Sequence, residues 1–174
     1  MRERVRCRLN AATRDYNSLY YVPEECRAAA NNSSAQSCLE LYDSVQSCRK
    51  LEGDSARFAC VRGKLGMNGT VNESLRACKS SGNPVACIAT LRASVLSLAK
   101  FKLYNLEERA EYLISEGLDR ETVEAFVEKM EQYKLDFNAA ATIKEKQQIL
   151  KNALSEWRKF KQYAVSQLKE KEGS

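Results

Sequence analysis

The stretch CRKLEGDSARFAC, residues 48–60, sets two cysteines either side of a glycine and several charges, in a chain of 174 residues that contains no histidine. Cysteines so placed can be metal ligands, a redox pair or a staple. Without histidine or a C-x-x-C pair the ligand spacing of zinc sites is missing. Thiol redox enzymes usually present C-x-x-C at a helix start in a strand-and-helix fold, and that pattern is missing too. The staple fits the local grammar. Gly53 is suited to closing a helix that carries Cys48 in its last turn, and Asp54 and Ser55 are suited to opening the helix that carries Cys60. A tight turn between two such helices brings the sulfurs together.

The same arrangement recurs through the first half. Cysteines stand at 7, 26, 38, 48, 60, 78 and 87, with none beyond. Cys26, Cys48 and Cys78 are each followed by a base and then by Asn31, Gly53 or Gly82, which are helix-ending residues. Cys38, Cys60 and Cys87 each follow a small residue near a helix start. Ser37 and Glu40 form an S-x-x-E capping box, and Asn83-Pro84 supplies an N-cap followed by proline in the first helical position. The expected bonds are Cys26–Cys38, Cys48–Cys60 and Cys78–Cys87, each closing a loop worth roughly 2.5–3 kcal/mol by chain entropy. A nested alternative, Cys26–Cys60 with Cys38–Cys48, requires one helix over 26–38, and the NNSS run at 31–34 opposes it. Cys7 is left over, as a buried thiol, an intermolecular bond or half of a pair whose partner lies upstream.

Four N-x-[ST] sequons, at Asn31, Asn32, Asn68 and Asn72, share the cysteine-bearing half and fall in or beside expected loops. Beside disulfides they favour an oxidising, extracytoplasmic compartment, where glycosylation occurs. MRERVRCR at the start has no apolar run, so a signal or anchor is expected to lie outside this sequence. The best candidate for a membrane crossing, residues 85–104, is interrupted by Arg92, Lys100 and Lys102, so no transmembrane segment is expected.

With only two prolines and seven glycines among many Ala, Leu, Glu, Lys, Arg and Gln, the chain is read as all-α. A cysteine-rich helical-hairpin region, 1–104, is expected to precede a cysteine-free region, 105–174, built as an antiparallel three-helix bundle or long hairpin sharing one elongated core with the first. Helices are expected over 38–51, 55–65, 71–80, 84–104, 106–116, 120–134 and 143–171, with 61–77 as the most irregular stretch. Asn105, Asp119 and Thr142 are expected to cap the last three, the third through a Thr142/Glu145 box. In the last helix Ile143, Leu150, Leu154, Trp157, Ala164 and Leu168 mark the apolar stripe, which serves core packing or a coiled-coil homo-oligomer through 143–171.

The net charge of +5 is unevenly distributed. Residues 1–104 carry 16 basic and 9 acidic groups, 105–141 carry 4 and 10, and 142–174 carry 8 and 4. Bases interleaved with acids, rather than clustered with aromatics, argue against nucleic acid as a partner. General acid–base chemistry would fall on carboxylates, yet none is paired with an evident reason to be buried. Phosphate-binding and nucleophile motifs are missing as well. Neither an enzyme nor a cofactor or metal site is expected. The interface-like stretch is Leu19, Tyr20, Tyr21 and Val22, where aromatics adjoin the rigid Pro23. The sequence therefore points to a non-catalytic exported module that binds a protein partner or spaces other domains of a surface protein. The alternatives are a thiol–disulfide exchange protein of an intracellular or intermembrane-space compartment, and a basic membrane-surface or nucleic-acid binder.

Overall fold

The computed structural model describes residues 1–3, 5, 6, 9, 36, 37, 40, 41, 44, 45 and 47–172. Among them are a 3-10 turn at Ser47–Lys50 and five long α-helices: α1 Asp54–Lys64, α2 Val71–Lys79, α3 Pro84–Ser115, α4 Arg120–Ala139 and α5 Ile143–Glu172. The protein is all-α, and no strand occurs among the described residues. Two compact units are formed, one from Tyr20–Leu98 and one from Met1–Leu19 with Ala99–Ser174. The described residues 1–3, 5, 6 and 9 thus belong to the same unit as the C-terminal helices.

In the stapled unit each turn is fixed by a few residues. Gly53, at φ 80°, precedes α1, and Asp54 in the first turn complements the helix dipole. Across this turn Arg57 donates to the Leu51 carbonyl at 2.7 Å. The expected irregular stretch after Cys60 is shorter than its three glycines suggest. Gly63 stays helical, and only Gly66 and Gly69 adopt the positive φ that ends α1 and leads into α2. A side chain at Gly69 would set its Cβ 2.5 Å from the Glu73 carboxylate, which is held by the cap of α2. There Glu73 accepts from the Thr70 amide at 2.6 Å while its own amide donates to the Thr70 hydroxyl at 3.3 Å. Asn83 caps α3 by accepting from the Ala86 amide, with Pro84 in the first helical position. Ser94 then ties α3 to the end of α1, donating to the Leu65 carbonyl at 2.9 Å.

The bundle unit is built around one apolar core. Val5 and Leu9 of the N-terminal segment, Leu103, Leu106 and Ala110 of α3, Val123, Phe126, Val127, Met130 and Phe137 of α4, and Ala153, Phe160 and Ala164 of α5 are buried. A three-residue connection turns α4 back into α5, and Phe126 stacks on Phe160 across it with ring centroids 4.2 Å apart. Asp119 caps α4 through the Thr122 amide, and the Thr142/Glu145 box opens α5. At the end of α4, the Lys146 ammonium donates to the Phe137 carbonyl, occupying an acceptor that the terminating helix leaves without an intrahelical donor.

Two expectations require correction. Asn105 does not cap a new helix, because α3 runs unbroken from Pro84 to Ser115 and holds Asn105 half-buried within it. A lone asparagine costs a helix only a fraction of a kcal/mol, about 0.7 or less, which the flanking buried residues Leu103, Tyr104 and Leu106 outweigh. The buried line of α5 is also displaced. Ala153, Phe160 and Ala164 are enclosed, whereas Leu150, Leu154, Trp157 and Leu168 are half-buried and Ile143 is exposed. Of the side chains named from the sequence Ala164 lies at the centre of the seam with Ala153 and Phe160, and Leu150, Leu154, Trp157 and Leu168 flank it.

Candidate interaction surfaces

The structure joins Cys48 to Cys60 with 5.6 Å between their Cα atoms, and Cys78 to Cys87 with 5.3 Å. Cys48 lies in the 3-10 turn and Cys60 in the second turn of α1, while Cys78 ends α2 and Cys87 begins α3. Each bond spans one interhelical turn, and one member of each, Cys48 or Cys78, is buried. Burial of one sulfur limits attack by an exchanging thiolate, which suits a structural staple. Cys7, Cys26, Cys38, Asn31, Asn32 and the Leu19–Val22 stretch lie outside the described residues.

Asn68 and Asn72 are exposed, the first in the loop before α2 and the second in its first turn. Both amides are open to solvent, as glycan attachment requires. Downstream, the apolar part of α3 presents a half-exposed apolar surface. Val85 is 80% exposed, and Ile88, Leu91, Val95 and Leu96 are only partly covered. Among the described residues α3 alone is long and apolar enough to cross a bilayer. Its most apolar 18-residue window has a mean hydropathy of 1.4, and none of that window is buried. No more than two of Arg92, Lys100 and Lys102, read from the sequence as interruptions, fall inside that window.

Buried charge in the bundle unit was missed by sequence reasoning. Glu107 is 0% and Glu131 2% exposed, and the 8% exposed Lys134 reaches both, at 2.8 Å and 3.0 Å, with its ammonium 4.3 Å from the centre of the Tyr104 ring. Glu111 is buried as well. Glu107 lies in the interior of the continuous α3. A signal was present: Glu107 is one turn from Leu103 and Ala110, and Glu131 and Lys134 share a face with Val127. Read by position rather than by charge, they belong to the core. With one cation between two carboxylates the group forms a partly compensated structural network.

The exposed Arg6 and Arg2 converge on the buried Glu124 at 2.7 Å and 3.3 Å, so these two bases of the N-terminal run are engaged within the unit. Partial desolvation raises the Glu124 pKa, but the hydrogen bonds from Arg6 and Arg2 outweigh it and leave the group below the usual carboxylate range. Glu73 and Glu145 are lowered chiefly by the amides of Thr70 and Thr142 that they accept from. Glu156 is lowered by Lys159 and then Lys129, and Lys159 is raised by the same Glu156 contact.

No group of metal-binding side chains occurs among the described residues. No family model, curated protein or solved structure matches the chain.

Proposed function

We propose that the protein is a non-catalytic, exported helical module, stapled at successive interhelical turns, that binds a protein partner or spaces the domains of a surface protein. The observation that carries this reading is the pairing of Cys48 with Cys60 and Cys78 with Cys87 across consecutive turns. Short-range staples of this kind persist in oxidising compartments and serve units whose own core is small. Among the described residues of the stapled unit the buried hydrophobics are Val45, Val61 and Met67 with the two cysteines Cys48 and Cys78. The half-exposed apolar face of α3 supports the interaction role, since contiguous apolar surface marks a binding site more often than a solvated one. Exposed Asn68 and Asn72 support passage through a glycosylating pathway.

Expression behind a signal peptide in a eukaryotic secretory host tests the reading. Folded protein is expected in the medium, migrating faster after glycosidase treatment, with the shift reduced by Asn68→Gln and Asn72→Gln together. Retention and degradation of the disulfide-competent chain, alongside good recovery of a fully reduced folded form from a cytosolic host, would overturn it.

A further inference from the structure

We infer that the outward face of α5 is a docking site for a linear sulfated polysaccharide, a glycosaminoglycan chain of the extracellular space. The inference rests on the exported reading above for the choice among polyanions, and on the geometry of α5 for the site itself.

Lys144, Lys151, Arg158 and Lys169 follow one another at intervals of seven or eleven residues. At 100° per residue these positions fall within about 40° of one another, on the side opposite the buried Ala153, Phe160 and Ala164. Lys161 flanks the stripe, and all five cations are exposed. Among the described residues none of these five side chains makes a hydrogen bond or ion pair. Other lysines nearby are engaged: Lys129 and Lys159 on Glu156, and Lys146 on the Phe137 carbonyl.

Within the length of the stripe the acids of α5 lie away from it, and Glu170 and Glu172 follow at the end of the helix. Glu145 closes the capping box, Glu156 is held by Lys129 and Lys159, and Glu170 accepts from Gln167. Between Lys144 and Lys169 the outward positions are otherwise filled by neutral residues such as Gln148, Ser155 and Gln162. An ordinary solvated helix face mixes both signs. Here the outer face is of one sign over a length of about 38 Å.

That geometry selects the ligand class. Steps of seven residues separate neighbouring cations by roughly 10 Å, too far for several of them to converge on one small anion. They match a ligand whose charges are spread along a line, and multiple exposed contacts of this kind act through neutralisation and counterion release. A helix that enters a bilayer needs large apolar side chains toward the lipid, and the centre of this face has none. Single-stranded nucleic acid would call for aromatics among the bases, and these are absent from the stripe as well. A flexible sulfated chain needs only the regularly spaced cations.

The test is titration of the full disulfide-bonded chain with heparin across a salt series, alongside phosphatidylserine vesicles and duplex DNA. Three proteins are compared. One is wild type, one carries Lys144→Gln, Lys151→Gln, Arg158→Gln and Lys169→Gln, and one carries Lys64→Gln, Arg76→Gln, Lys79→Gln and Arg92→Gln. Four neutralisations take the net charge from +5 to +1 in either variant, so general charge is matched. Heparin affinity at physiological salt is expected to fall at least tenfold in the α5 variant and less than threefold in the other. The slope of log affinity against log salt is expected to shrink by roughly 3 for the α5 variant alone. Circular dichroism identifies any variant that fails to fold, and single Lys→Gln changes along the stripe then replace it. Equal losses in both variants, no heparin binding by wild type, or tighter binding to vesicles or DNA than to heparin would each overturn the inference. Failure here with successful secretion leaves the exported module standing, whereas failed secretion with stripe-dependent heparin binding removes that reading and keeps the site.

Discussion

Lys134 shows how one side chain fixes the interior of the bundle. Its ammonium lies between the buried carboxylates of Glu107 and Glu131 and over Tyr104, so removing it leaves enclosed acids short of a cation they contact directly. Losing one partner of a buried ionic network costs about 3–5 kcal/mol, and replacing the network with apolar groups of similar size is often neutral. Lys134→Met is therefore expected to destabilise the chain by about 3 kcal/mol, and adding Glu107→Leu to recover a large part of that loss. Chemical denaturation of the two variants checks this, and a change below ~0.5 kcal/mol for Lys134→Met would mean that the network contributes little. The sequence concealed these residues because charge usually signals solvent. Only their helical register, one turn from Leu103, Ala110 and Val127, placed them inside.

At the scale of the element, what could be read in advance was whatever the chain decides locally. The Thr70/Glu73 and Thr142/Glu145 boxes, the Asp119 cap and Pro84 at the start of α3 all stand where three- or four-residue signals put them. The turns at Cys48–Cys60 and Cys78–Cys87 were legible for the same reason, since each of these pairs spans the connection between one helical segment and the next. Asn105 misled because its cap preference is weak and non-local packing decided the case. The line of α5 was read in part: Ala164 lies at the seam, whereas Ala153 and Phe160 were passed over for the flanking Leu150, Leu154, Trp157 and Leu168. The stripe on its outer face was visible only once burial had oriented the helix.

The capping acids also set a pH response. Glu73 and Glu145 have folded pKa values below their ordinary ones, as do Glu124 and Glu156. A lowered folded pKa means stability that is present above the ordinary carboxylate range near 4.5 and is lost as pH falls through the folded value. Thermal midpoints are expected to hold near neutral pH and to decline on acidification below that range. Glu73→Gln with Glu145→Gln is expected to lower the neutral midpoint and flatten the acid limb, as scanning calorimetry from pH 7 to pH 3 would show. An acid limb as steep as wild type in the double variant would place the titrating groups elsewhere.

At the scale of the whole molecule, two units use different means of stabilisation. Among the described residues the bundle unit encloses a continuous set of large apolar side chains, whereas those of the stapled unit include few buried ones and are cross-linked at two turns. Each staple removes roughly 2.5–3 kcal/mol of chain entropy from the unfolded state, a large fraction of what a small unit's net stability amounts to. The central claim is that the cysteines pair consecutively, and it is tested most directly by intact mass after thiol alkylation, before and after reduction, with peptide mapping. Protein from an oxidising host is expected to carry one alkylated thiol before reduction and seven after it, with Cys48 linked to Cys60 and Cys78 to Cys87. Seven alkylated thiols without reduction, or Cys48 linked to Cys38 and Cys60 to Cys26, would contradict it.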